Sequence, residues 1–204
     1  MKKKFIESSL DLIKSKKEVD NLEEKRLRYG LEGFYNTYTK FMVMLILSII
    51  LGIWREYLLL ILVYSSLRLY GFGIHMETTF QCWVTTIPLY IGGCLVIKYF
   101  NFPLQISLLL WLCGFISFLI FAPADTPKRP LIHKEKRVRA KVLSLIILLT
   151  YFLIFNVVKS QMIKEVILLG VILESISINP LLYKLFNMQY NNYKYFVIIR
   201  CIFI

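Results

Sequence analysis

No apolar run appears before about residue 41, only two histidines and four cysteines are present, and no cysteine pair has metal-site or disulfide-framework spacing. Each absence closes a class. A secretory signal needs an apolar stretch directly behind its basic start, so Met1-Lys2-Lys3-Lys4 does not head one. The H-E-x-x-H pattern of a helical zinc protease is missing. His75-Met76-Glu77 matches the H-x-E of zinc deaminases, but the Pro-Cys-x-x-Cys they require is absent. No metal or cofactor is therefore expected. Acid is scarce as well: 13 Asp and Glu stand against 25 Lys and Arg, a net charge of +12. These bases flank apolar blocks and form no separate basic domain, so nucleic acid is not an expected partner. They read instead as membrane-orienting charges. Internal repeats, a low-complexity linker and a second globular domain are also missing.

What is present is apolar sequence, 57% of the chain, against about 45–50% in a soluble domain. It is gathered into blocks at 41–54, 57–67, 83–97, 103–121, 142–158 and 166–185. A bilayer core of roughly 30 Å takes about 20 helical residues, and the last three blocks fit that directly. Barrel strands would alternate apolar and polar residues, and these blocks do not. The expected fold is an all-α polytopic membrane protein, with about six transmembrane helices and an N-terminal amphipathic helix. Residues 1–40 would form the amphipathic cytoplasmic segment. Phe5, Ile6, Leu12, Ile13, Val19, Leu22, Leu27, Leu31 and Phe34 recur there at a spacing that suits a helix on an anionic lipid surface. Residues 41–186 would form the six-span domain, and 187–204 a C-terminal tail.

Charge sets the topology. Residues 41–70 as one helix would reach about 45 Å, too long for one span, and Gly52 with Arg55-Glu56 suggests a tight turn between two short spans. Six spans with the N-terminus inside put only Arg55, Lys98, Lys159 and Lys164 outside, and the other 21 of the 25 Lys and Arg inside. Five spans would set the basic 122–141 loop opposite the basic N-terminus, against the positive-inside tendency. Both termini and the loops at 68–82 and 122–141 are thus expected in the cytoplasm. In the second loop, Pro123, Pro127 and Pro130 forbid helix and favour a defined, extended path.

Residues 68–82 hold an Arg, a His, a Glu and a Cys beside apolar spans, where ionisable groups are costly and functional by default. On one continuous helix His75 and Cys82 would lie about 10.5 Å apart along the axis, beyond the roughly 2.6–3.2 Å of a proton transfer. The chain must break between them. Thr78-Thr79-Phe80-Gln81 matches a capping box, which would start a helix at Thr78 and put Cys82 in its first turn. Helix N-termini and neighbouring histidines both favour a thiolate. Gly71 and Gly73 would let the preceding chain fold back over it. The result is a Cys–His nucleophile and base; the plainer alternative is a loop histidine and a packing cysteine. Cys94, Cys113 and Cys201 read as packing residues, and His133 as solvated or bound to headgroups. Neither Asp125 nor Glu77 is assigned as a third catalytic group.

Gly73-Ile74-His75 followed by Cys82, together with Ala122-Pro123-Ala124-Asp125-Thr126-Pro127-Lys128-Arg129-Pro130-Leu131, resembles the accessory gene regulator protein B (AgrB) family. Its members are bacterial membrane cysteine endopeptidases that mature quorum-sensing peptides. The resemblance extends to length, basic N-terminus and six-span plan. It implies His75 and Cys82 as the catalytic pair. Arg68 looks like the family's conserved arginine, either binding a substrate carboxylate or snorkelling at the interface. It further implies an AgrD-type propeptide as substrate, cut on its C-terminal side through a thioester on Cys82, and a thiolactone or lactone product. Lys128 and Arg129 would draw the acidic tail of that substrate. The bacterial cell membrane is the implied location, the lipid bilayer an implied partner, and a homodimer an expectation of the family. Two other readings remain: a non-enzymatic transporter or accessory subunit, and a lipid-binding scaffold.

Overall fold

The computed structural model describes residues 2–74, 76, 78–126 and 130–190, Thr79 by its backbone alone. The chain divides into two units, Met1–Ile50 and Leu51–Ile204. Every regular element among the described residues is helical.

In the first unit, α1 (Lys2–Lys14) folds back along α2 (Asn21–Ile50). α1 buries Ile6 and Leu10, and Phe5 tilts against Tyr35 with ring centroids 5.5 Å apart. Lys14–Glu24 and Lys17–Glu23 pairs, each at 2.9 Å, close the hairpin. The amphipathic N-terminal sequence is therefore helical, as its spacing suggests, but turns part of its apolar face onto α2. α2 also runs unbroken across position 40, where the sequence had suggested a change from surface segment to span. It is long because its charged first half and apolar second half share helical propensity with no Pro between them.

In the second unit, a turn at Leu51–Gly52 leads into α3 (Trp54–Gly71). Then come α4 (Thr79–Ile87), a π-helical turn (Pro88–Gly92) and α5 (Gly93–Tyr99), followed by α6 (Leu104–Phe121), α7 (Lys134–Val157), α8 (Gln161–Ser177) and α9 (Pro180–Leu185). Pro88 brings no N–H to the helical ladder, and the π turn starts on it. Asn179 stops the chain after α8 and starts it again: its side chain accepts from Leu181 N at 2.9 Å, with Pro180 in the first helical position.

α8 is the central helix, packed against α3, α5, α6 and α7. Its flanking helices are inverted relative to a soluble bundle. α6 buries Ser107, Trp111, Gly114 and Phe118 while leaving Leu109, Leu112 and Ile120 at 57–63% exposure. α7 buries Ala140, Ser144, Leu148 and Phe155 and exposes Leu149 and Leu153. Apart from Leu148, the residues these two helices turn to the bundle are small or aromatic, and branched aliphatics face outward, the arrangement expected when the surroundings are lipid. Trp111 anchors the interior, edge-on to Phe152 and Phe155 at 5.2 and 5.7 Å.

Among the described residues, four helical segments are long and apolar enough to cross a membrane: Asn21–Ile50, Phe80–Tyr99, Leu104–Phe121 and Lys134–Val157. α3 and α8 do not join them on length and composition. α3 carries Arg55, Glu56 and Arg68, and α8 is 17 residues long and carries Lys164, Glu165 and Glu174. Length and composition thus support four of the expected six spans.

Candidate active site

The capping box at Thr78 is present. Thr78 Oγ1 accepts from Gln81 N at 3.2 Å, and the Gln81 side chain accepts from Thr78 N at 3.4 Å. Thr78 takes the extended backbone of an N-cap (φ −106°, ψ 150°). Cys82 N then makes the first bond of the new helix, to Thr78 O at 3.1 Å. The thiol therefore stands on the first turn of α4, half-buried. One turn on, Thr86 donates to Cys82 O and lies 4.0 Å from its Sγ. Thr85 donates to Gln81 O at 2.9 Å. Both hydroxyls bind carbonyls of the turn that carries the cysteine.

Upstream, α3 ends sharply. Phe72 N donates to Arg68 O at 3.1 Å, and Phe72 and Gly73 both take positive φ, 69° and 82°. Only glycine adopts the second of these without cost, and a Cβ there would overlap Ser177 Oγ. The chain leaving α3 is fixed on two sides. It forms a parallel bridge, Phe72 to Ala124, with Gly73 N donating to Ala124 O and Ala124 N to Gly71 O, both at 2.9 Å. On the other side Ile74 N donates to Ser177 O at 2.9 Å, and Arg68 Nη2 donates to Ile74 O.

Arg68 is the centre of this arrangement. Its Nη1 donates to Tyr64 OH at 2.7 Å and Ser177 Oγ at 3.2 Å and lies 3.6 Å from Glu174 Oε2. Ser177 Oγ in turn lies 2.8 Å from that same carboxylate oxygen. Glu174 is fully buried. A charge buried in this way is tolerable only when paired and hydrogen-bonded. The guanidinium that the resemblance assigns to a substrate carboxylate or to snorkelling at the interface is thus engaged with a carboxylate of the protein itself.

The 122–131 loop is equally anchored. Tyr183 OH donates to Ala124 O at 3.0 Å and Tyr190 OH to Phe121 O at 3.2 Å. Asp125 is fully buried, 3.4 Å from Arg137 of α7, and its Oδ2 accepts from Leu131 N at 3.3 Å. An Asp before Thr-Pro looks like an ordinary turn residue; here it closes the loop onto a helix.

Of the residues the sequence singles out, Cys82 and Arg68 are described; His75, Lys128 and Arg129 lie outside the described residues, as do Glu77 and Cys201. The sequence reading assigned no role to Glu174, Ser177, Tyr64 or Tyr183. A signal for Glu174 existed, since an acid deep in an apolar helix calls for a cation nearby, and Arg68 is an ionisable residue in another. Among the described residues no group of three or more His, Cys, Asp or Glu is placed to hold a metal ion.

The family model for accessory gene regulator B matches residues 6–178. The chain belongs to the AgrB family. A putative AgrB-like protein of Listeria monocytogenes is 32% identical over 171 residues, 83% of each chain. One of Clostridium acetobutylicum is 26% identical, covering 86% of this chain and 84% of its own. The accessory gene regulator protein B of Staphylococcus aureus is 30% identical over 173 residues, 84% of this chain and 89% of its own. No solved structure matches the chain. The family is that of accessory gene regulation, a quorum-sensing system, and its match spans both the capped cysteine and the Arg68–Glu174 pair.

Proposed function

We propose that the protein is a membrane cysteine endopeptidase. It cleaves an AgrD-type propeptide on the C-terminal side of the future signal and hands the acyl group to an internal nucleophile of the same peptide. The observation that carries this reading is the position of Cys82 on a capped helical turn, in a chain of the AgrB family. The N-terminal turn of a helix favours an anion, and the thiolate is the attacking species.

The steps balance as an acyl transfer. His75 takes the Cys82 proton, and the thiolate adds to the scissile carbonyl. The C–N bond then breaks, the tail amine leaves with the proton held by His75, and a thioester remains on Cys82. An internal Cys or Ser of the propeptide next attacks the thioester. Its own proton returns to Cys82, and the ring closes as a thiolactone or lactone. Water must be kept from the thioester, because hydrolysis would discard the acyl energy. Lys128 and Arg129 are proposed to attract the acidic tail, while Arg68, engaged with Glu174 and Ile74, is proposed to shape the substrate site rather than to bind the tail. Six spans in a bacterial cell membrane, both termini and the cysteine on the cytoplasmic side, and a homodimer complete the proposal.

A transporter reading would lean on ionisable residues inside the spans. Glu174 is the clearest of them, and it is paired with Arg68.

The test is co-expression of the full chain with an AgrD-type propeptide, reading the released tail and any peptide bound to Cys82 by mass spectrometry. Wild type should release the tail and carry a hydroxylamine-labile adduct on Cys82, while Cys82→Ala and His75→Ala should do neither. Tail release by Cys82→Ala at the wild-type rate would sink the reading.

A further inference from the structure

The residue directly before His75 is held at both of its backbone polar groups, by the backbone of the distant Ser177 and by the side chain of Arg68 six residues upstream. Ile74 N donates to Ser177 O, and Ile74 O accepts from Arg68. Arg68 is in turn held by Glu174 at 3.6 Å and by Ser177 Oγ at 3.2 Å, and these two hold each other at 2.8 Å. Glu174 and Ser177 both lie on the last turn of α8 and are buried. Gly73 packs against Ser177 so closely that no side chain fits. Gly71 packs against Glu174, where a Cβ would come within 2.7 Å of Oε1. The end of α8 thus forms a mould for residues 71–74, with Arg68 as the clasp.

We infer that Glu174 and Ser177 are positioning residues for the peptidase: by holding Arg68 against Ile74 they set the place from which His75 meets Cys82. This rests on the peptidase reading above and gives α8 a part in it. Three features carry the inference. The contacts converge on main-chain atoms of one residue, which fixes position more firmly than a side-chain contact. The carboxylate and the hydroxyl come from a helix about a hundred residues away in sequence, so local propensity does not set this geometry. Finally, an ion pair inside an apolar bundle carries a large desolvation penalty, and packing alone would be met more cheaply by aliphatic residues.

The experiment needs no substrate. The full chain in native membranes is treated with iodoacetamide at about neutral pH, and the alkylation rate of each cysteine is read by site-resolved mass spectrometry. On the peptidase reading His75→Ala should slow Cys82 by about tenfold, since an imidazole acting on the thiol favours the thiolate. Glu174→Gln and Ser177→Ala should slow Cys82 by a similar factor, of order tenfold, since a small misplacement in a catalytic geometry is enough to lose that much. Neither should slow it further in a His75→Ala background, because both act through His75. Cys94, buried on α5, should stay unreactive throughout and reports that the bundle is intact. Ser177→Ala is the milder change and serves where Glu174→Gln does not accumulate.

Wild-type Cys82 rates in both variants, with His75→Ala slow, would overturn this inference and leave the catalytic pair standing. Equal slowing in the presence and absence of His75 would overturn it too, since the effect would not pass through His75. A wild-type rate in His75→Ala would remove the pair itself, and this inference with it.

Discussion

Removing the N-cap of α4 is the most direct test of how the sequence places Cys82. Thr78→Ala deletes the acceptor for Gln81 N, 3.2 Å away, and leaves the Gln81 side chain with only the long 3.4 Å bond to Thr78 N. An N-cap Thr is worth about 1 kcal/mol, within a range of roughly 0.5–2. The bond lengths here sit at the upper end of ordinary hydrogen bonds, so the central value is the one to use. Thr78 is exposed, so water replaces part of what is lost and no large cavity term is added. One kcal/mol corresponds to about a fivefold change in an equilibrium constant. The cost is confined to the first turn, whose opening bond is Cys82 N to Thr78 O. Hydrogen–deuterium exchange of the peptide spanning 79–87 should therefore accelerate by about fivefold in Thr78→Ala, while peptides from α6 and α8 keep their rates. Thr78→Ser keeps an oxygen in place and should restore protection. Gln81→Ala removes only the weaker half and should produce a smaller effect. Iodoacetamide should label Cys82 more slowly in step with the loss of protection. Unchanged exchange in Thr78→Ala would refute the argument that this box fixes the start of α4. Acceleration across every helix would refute the claim that the cost is local.

Gly73→Ala forces a Cβ onto a residue at φ +82° and against Ser177. A non-glycine in that region costs of order 1–3 kcal/mol, so the thermal midpoint should fall and propeptide cleavage should be lost. Tyr183→Phe deletes the hydroxyl that donates to Ala124 O. About 1 kcal/mol of stability should go with it, lowering the midpoint while leaving cleavage measurable. Lys17→Ala breaks a pair with Glu23 that is exposed on both sides. Pairs of that kind are worth about 0–1 kcal/mol, so no shift in midpoint is expected. Charge reversal at Lys128 and Arg129 should raise KM for an acidic-tailed propeptide and leave kcat nearly unchanged; unaltered cleavage kinetics would remove these residues from substrate binding.

The parts of this molecule that the sequence discloses are those fixed by neighbours. The capping box is written in four consecutive residues, and the turn at Gly52 breaks an apolar run too long for one span. The helices α6 and α7 declare themselves through unbroken apolar composition. Hydropathy is less able to settle α3 and α8. Their charges lower the apolar signal, yet Arg68 and Glu174 are spent on each other inside the bundle. A composition rule counts each charge as a cost and has no means of cancelling one against another 106 positions away. The same limit applies to α1. An apolar stripe fits a lipid surface and a second helix equally well, and only the hairpin shows that Ile6 and Leu10 are buried in the fold.

This division between local and distant information bears on how the proposed catalytic pair is held. The proposed nucleophile stands on a turn that its own four-residue neighbourhood builds, so the place of Cys82, though not its reactivity, withstands changes elsewhere in the bundle as long as Thr78 and Gln81 remain. The segment leading to the base has no such support, since residues 72–74 form no helix and take two successive positive φ values. Its path is imposed from outside, by the bridge to Ala124 and by the Arg68–Glu174–Ser177 cluster. The loop that supplies Ala124 is itself anchored to α7 through Asp125 and Arg137, and to the end of α9 by Tyr183. Substitutions that disturb catalysis at a distance should therefore concentrate on α8 and on the 122–126 segment, and should act on the histidine's side of the pair. Peripheral substitutions on the lipid-facing sides of α6 and α7 touch neither support. A random mutagenesis scored by Cys82 alkylation would separate these classes, and an even scatter of slow variants over α6, α7 and α8 would contradict the asymmetry.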